Sequence, residues 1–198
     1  MKKAEIILIV SSLIVLIINL LIIPGGAFLT ILTLSSISLL YCYFSFALFK
    51  NIRLRKVFQK ESYKETTTLK LLGTIFTGFT LSTTIIGILF KFLRWPGAHI
   101  MLLVGVSGLL IVISISIIKY INNKSEFYLK ISKRVAIFGG IGLFLILMRP
   151  TFLVEFKYRN YPNYVNAVKK LALEPNNKHL QKIVDEERKK MDDLIYND

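Results

Sequence analysis

Cys42, His99 and His179 are the residues whose side chains point first to metal or thiol chemistry. A single cysteine rules out an internal disulfide, and two distant histidines without a second cysteine supply neither a zinc ligand set nor a Cys–His nucleophile pair. Cys42 stands inside an apolar block, where a small buried hydrophobe is its ordinary role. No catalytic residue, metal or cofactor is therefore expected, and the chain reads as a non-enzyme.

The other chemically able residues cluster at one place. Lys91, Arg94, Trp95 and His99 flank a Pro96-Gly97 turn between two apolar runs, the densest polar and aromatic set at any edge of such a run. Tryptophan favours the head-group level of a bilayer and long basic side chains snorkel toward it. The set reads as interfacial anchoring, or as a contact for lipid head groups or a partner. Within the apolar runs no ionisable side chain is found except at the ends, which leaves proton relays and ion-coupled transport without residues to use. Asn19, the most polar side chain of the first run, reads as a helix-packing group.

The elements that carry these residues follow from charge and apolar run length. The 198 residues hold 26 Lys and Arg against 12 Asp and Glu, a formal charge of +14, yet 54% are hydrophobic and mean hydropathy is +0.57. That combination excludes disorder and argues against a soluble single domain. No charge occurs from Ile6 to Phe49, and Pro24-Gly25-Gly26 divides this stretch into two runs long enough to cross about 30 Å of hydrocarbon. Residues 1–50 thus form a first transmembrane hairpin. A cleaved signal peptide competes for the first run, but signal cores span about 7–15 residues and this one is longer. Residues 51–70 form a basic connector, 71–118 a second hairpin, and 119–134 another basic connector. Residues 135–150 read as a short fifth span, in which Arg149 can snorkel and Pro150 kinks the helix or starts a new segment; a re-entrant or interfacial helix is the alternative for so short a run.

Basic residues in short loops set orientation. Fourteen of them lie on the side of the N-terminus, while the opposite turns carry only Lys91 and Arg94. The N-terminus is expected in the cytoplasm, with the tail, after five spans, on the outer side of the membrane; four spans would keep the tail in the cytoplasm. Anionic lipid is a natural partner of so basic a face; nucleic acid is not expected.

The two hairpins read as a parallel repeat, since Pro24-Gly25-Gly26-Ala27 and Pro96-Gly97-Ala98 stand 72 residues apart. The third span carries Thr74, Gly78 and Ser82 at four-residue spacing, and the fourth carries Gly105 and Gly108, small residues that let helices approach closely. The segment Leu89-Phe90-Lys91-Phe92-Leu93-Arg94-Trp95-Pro96-Gly97-Ala98 resembles a hairpin of small Bacteroidota inner-membrane proteins. It is similar to the membrane hairpin of the L component of the gliding-motility and type IX secretion motor. In that family a membrane-embedded glutamate is the proposed proton carrier and a long periplasmic region engages a partner. This chain has no acidic residue from Leu71 to Ile118, so the resemblance implies a hairpin type and not an ion-coupled stator.

Residues 151–198 read as a soluble helical hairpin. Pro162 suits a first helical position, Val165, Val168 and Leu171 make one apolar stripe, and Pro175-Asn176-Asn177 breaks and re-caps the chain. A second stripe runs through Leu180, Ile183, Val184, Met191, Leu194 and Ile195, with Asp185–Lys189 and Glu186–Lys190 spaced as ion pairs. So small a unit is expected to lean on the membrane domain, self-associate or bind another envelope protein. The sequence therefore reads as an all-α polytopic integral membrane protein of about five transmembrane helices, two tandem hairpins plus one, with a C-terminal helical extension. Its expected role is a structural or accessory subunit of an envelope complex. A transporter or lipid-handling protein with a path between the hairpins is the alternative.

Overall fold

A computed structural model describes residues 2–50, 52 and 67–196. Eight helices account for the regular structure of the described residues: α1 (Lys2–Leu20), α2 (Gly26–Phe49), α3 (Thr68–Leu93), α4 (Ala98–Asn123), α5 (Glu126–Leu147), α6 (Phe152–Lys157), α7 (Pro162–Leu173) and α8 (Lys178–Tyr196). Most of the first basic connector, including Arg53, Arg55, Lys56, Lys60 and Lys64, lies outside the described residues. The chain divides into two compact units, one of residues 1–19 and 23–147, the other of residues 20–22 and 148–198.

Among the described residues four helices are long and apolar enough to cross a membrane: Lys3–Leu20 of α1, then α2, α3 and α4. The helix at the expected fifth span differs from the sequence reading at its start. It begins at Glu126, not at Val135, so the supposed basic connector 119–134 is helical nearly throughout, broken only where Lys124 turns into the left-handed region at φ 46°. Its first nine residues include Glu126, Lys130, Lys133 and Arg134, which keeps α5 out of the set judged apolar enough to span.

In the first unit α3 packs closely against α2, α4 and α5, and α4 against α5. The interior contains Leu34, Ile37, Leu81, Ile85, Leu102, Leu109 and Val135. Small residues set the spacing. A Cβ at Gly78 would fall on the Ser45 side chain and the Tyr41 carbonyl, one at Gly105 on the Thr84 backbone, and one at Gly108 on the Thr80 side chain. Threonines line the inner face of α3, and their hydroxyls bond back along the helix, Thr74 to the Lys70 carbonyl at 2.6 Å and Thr77 to that of Gly73 at 2.7 Å. Such back-bonding satisfies a buried hydroxyl without a second helix.

The two hairpin turns share one backbone. Ile22 and Arg94 both adopt left-handed conformations, at φ 61° and 58°, and Gly25 and Gly97 follow at 80° and 83°. Ile23 N–H donates to the Ile18 carbonyl at 3.3 Å and Trp95 N–H to that of Phe90 at 2.9 Å, the long-reach bond that closes a helix C-terminus. Leu29 and Met101 then open the next helices on the carbonyls of Gly25 and Gly97, both at 3.0 Å. Every one of these pairs is 72 residues apart. The buried faces keep the same offset: Gly26, Thr30, Thr33, Leu34 and Ile37 of α2 match Ala98, Leu102, Gly105, Val106 and Leu109 of α4.

The second unit has its own small core of Val154, Tyr164, Val165, Ala167, Val168, Val184 and Met191, contributed by α6, α7 and α8. Pro162 opens α7, and the Asn177 side chain caps α8 by accepting from the N–H groups of His179 and Leu180 at 3.0 and 3.3 Å. Two details differ from the sequence reading. Leu194 is exposed, and the ion pairs recorded on α8 are Glu187–Lys190 at 2.7 Å and Arg188–Asp192 at 3.8 Å.

Candidate functional site: a charged clasp between the first and fifth helices

The first turn of α1 carries Glu5, and α1 buries it together with Ser12, Val15 and Asn19. Glu5, Ser12 and Asn19 recur every seventh residue and so share one stripe of the helix, while Ile6, Ile7, Val10, Leu13, Ile14 and Ile17 face outward. The inward stripe of the first helix is therefore its polar one.

Arg134 stands in the third turn of α5, two turns beyond Glu126, and its guanidinium closes on Glu5. Nε donates to Oε1 and one terminal nitrogen donates to Oε2 at 2.6 Å, a two-pronged pair. Tyr41, from α2, donates its hydroxyl to the same Oε1 at 2.6 Å. Three helices thus meet on one carboxylate. The side chains of Glu5 and Arg134 are only 5% and 15% exposed, and Tyr41 is fully buried.

Aromatic rings wall this cluster. The Arg134 guanidinium lies 5.4 Å from the centre of the Phe49 ring, and Tyr41 meets Phe138 edge-on at 5.5 Å. Phe127 stands edge-on to Phe49 at 6.4 Å, and Lys70 rests 5.1 Å over the other side of that network at Phe127. A guanidinium over an aromatic face is stabilised by the ring quadrupole. The apolar walls remove water that would otherwise weaken the ion pair. Chemically the arrangement is closed: both carboxylate oxygens are engaged, the opposite charges cancel, and Arg134 also donates to the Lys130 carbonyl at 3.2 Å. It holds elements together.

The residues singled out from sequence fall elsewhere. Thr74, Gly78, Gly105 and Gly108 lie on the buried faces of α3 and α4. Ser82 is half-buried and shares a 2.6 Å hydrogen bond with Ser38, tying α3 to α2. At the second turn Lys91 is half-buried, Arg94, Trp95 and His99 are exposed, and Trp95 packs edge-on against Phe90 at 5.1 Å. Trp95 and Phe90 are the two residues joined by the turn's long-reach backbone bond, so this contact is the apolar clasp usual for such helix ends. Cys42 is free and half-buried beside Tyr41.

Sequence reasoning passed over the clasp itself. Arg134 falls in the expected polar connector, at the edge of the apolar run that starts at Val135, and the structure makes it a half-buried residue of α5. The available signal was the pairing of types, one acid directly before the first apolar run and one arginine directly before the last.

No family model, no curated protein and no solved structure matches the chain. Function is therefore argued from the residues.

Proposed function

We propose that the chain is a non-catalytic integral membrane protein that serves as a structural or accessory subunit of an envelope complex. In this reading α1 to α5 cross a bacterial inner membrane, the N-terminus is cytoplasmic and the tail periplasmic, and the loop charges carry the orientation. The observation that supports a scaffold most is where the buried polar groups spend their hydrogen bonds. Glu5, Arg134 and Tyr41 bind one another, Ser38 binds Ser82, and Thr74 and Thr77 bind their own helix. The seam between α2 and α3, where a path through the protein was expected on the alternative reading, is filled by Gly78 against Ser45 and Tyr41. Contacts with other molecules then fall to the exposed Arg94, Trp95 and His99 turn and to the tail, which displays Phe152, Phe156, Leu173 and Leu194.

Purification of tagged full-length chain in native nanodiscs, beside a form lacking residues 151–198, tests the proposal. A protein that accompanies the full chain in fixed ratio and is lost on truncation is the expected result. Protein that comes alone, with tightly held lipid, would favour transport or lipid handling.

A further inference from the structure

α5 has an unusual insertion problem. After Arg134 only 13 residues remain to Leu147, about 20 Å of helix, well short of about 30 Å of hydrocarbon. To span, the helix must draw Arg134 below the membrane surface, and arginine is among the costliest residues to place there. Lys130 and Lys133 need no such burial. Lys130 pairs with Glu126 at 3.2 Å, and Lys133 is exposed and long enough to snorkel. Arg134 is the most enclosed of the three, its side chain 15% exposed against 35% for Lys130, and its counter-charge comes from a residue 129 positions earlier, in the first helix.

From this geometry we infer that Glu5 is the topogenic partner of Arg134: α1 supplies the charge that lets α5 cross, and so decides on which side of the membrane the tail stands. The bidentate geometry matters, because it converts two separately costly charges into one neutral, hydrogen-bonded unit. Tyr41 also donates to Glu5 Oε1 and so helps fix the orientation of the carboxylate. Phe49 lies against the guanidinium and Phe138 against the Tyr41 ring, so aromatic groups and not further charges flank the cluster. The first helix acts as an internal insertion factor for the fifth. The inference rests on the five-span reading of the chain, and the parent protein in the test below judges that reading separately.

The test places one cysteine at Asn176, in the exposed turn before α8, in a Cys42→Ala background. Intact cells are labelled with a membrane-impermeant maleimide, before and after permeabilisation. The parent is expected to label from outside. Glu5→Gln should cut outside labelling to less than about half, with the missing fraction appearing only on permeabilisation. Glu5→Gln combined with Arg134→Leu should restore it, because α5 then needs no counter-charge. If Glu5→Gln is degraded, recovery of both protein level and outside labelling in the double variant supports the same conclusion. Unchanged labelling of Glu5→Gln overturns the inference, as does a double variant that fails to recover. A parent that labels only after permeabilisation overturns the five-span reading, and the inference with it.

Discussion

The two hairpins share a turn, a buried face and a 72-residue offset, and they differ in what their leading helices ask of the rest of the chain. The buried α1 residues Glu5, Ser12 and Val15 match Thr77, Thr84 and Gly87 on the buried face of α3. Thr77 satisfies itself on the Gly73 carbonyl, one turn away. Glu5 cannot do so, and it reaches across to α2 and to α5. At these positions one hairpin satisfies its polar group within a single turn, while the other depends on a residue more than a hundred positions away. A repeated backbone can therefore be given a long-range tie by a single side chain.

Copying the second hairpin into the first should have the largest effect. Glu5→Thr leaves the Arg134 side chain, only 15% exposed, without its carboxylate, and loss of one partner of a buried pair costs about 3–5 kcal/mol. Chemical denaturation of the purified chain in a defined detergent should record that loss. Adding Arg134→Leu should return most of it, since a well-packed apolar replacement for the whole pair is often neutral. A Glu5→Thr variant as stable as the parent would mean that the clasp carries no net stability.

The reverse copy is expected to cost less. Thr33 in α2 corresponds to Gly105 in α4, and Gly105→Thr would push its side chain into the Thr84 backbone. Backbone cannot step aside as a flexible side-chain end does, so a loss of about 3 kcal/mol is expected, the upper part of the range for overpacking. Gly73, where a Cβ meets nothing within 4 Å, serves as the control. Gly73→Ala should gain up to about 1 kcal/mol from helix propensity. If Gly105→Thr is as mild as Gly73→Ala, then close approach at Gly105 is not what spaces α3 from α4.

These contrasts also explain which features the sequence made legible. Uncharged runs and Pro-Gly turns are local signals, and they place α1 to α4 and the paired turns closely. The tail was legible for the same reason, through Pro162 at a helix start and Asn177 at a cap. The start of α5 was not, because a run of charge does not distinguish loop from helix: Lys119 to Arg134 is polar by composition, yet two helices run through it. The clasp was hidden more deeply. Nothing local to Glu5 or Arg134 marks the other as its partner, and only the packing of α1, α2 and α5 brings them together. The helix-packing glycines lie between these cases, since small-residue spacing points to a close face but not to which helix fills it.

The finest comparison concerns the two left-handed residues that close the first helix of each hairpin. A side chain with a Cβ pays about 1–2 kcal/mol in this conformation, and glycine is the residue that usually occupies it. Arg94 is exposed, so Arg94→Gly should raise stability by about 1 kcal/mol, seen as an increase of about 2–4 °C in Tm for a chain of this size. Ile22 is half-buried, and Ile22→Gly gives up apolar contact worth about as much as the strain it relieves. Its Tm should stay within about 1 °C of the parent, by the same scaling. A fall on Arg94→Gly would reverse the argument: the arginine side chain would then be contributing more than its backbone strain costs. The exposed turn of the second hairpin would in that case owe its residue choice to contacts made by Arg94 and not to the shape of the turn.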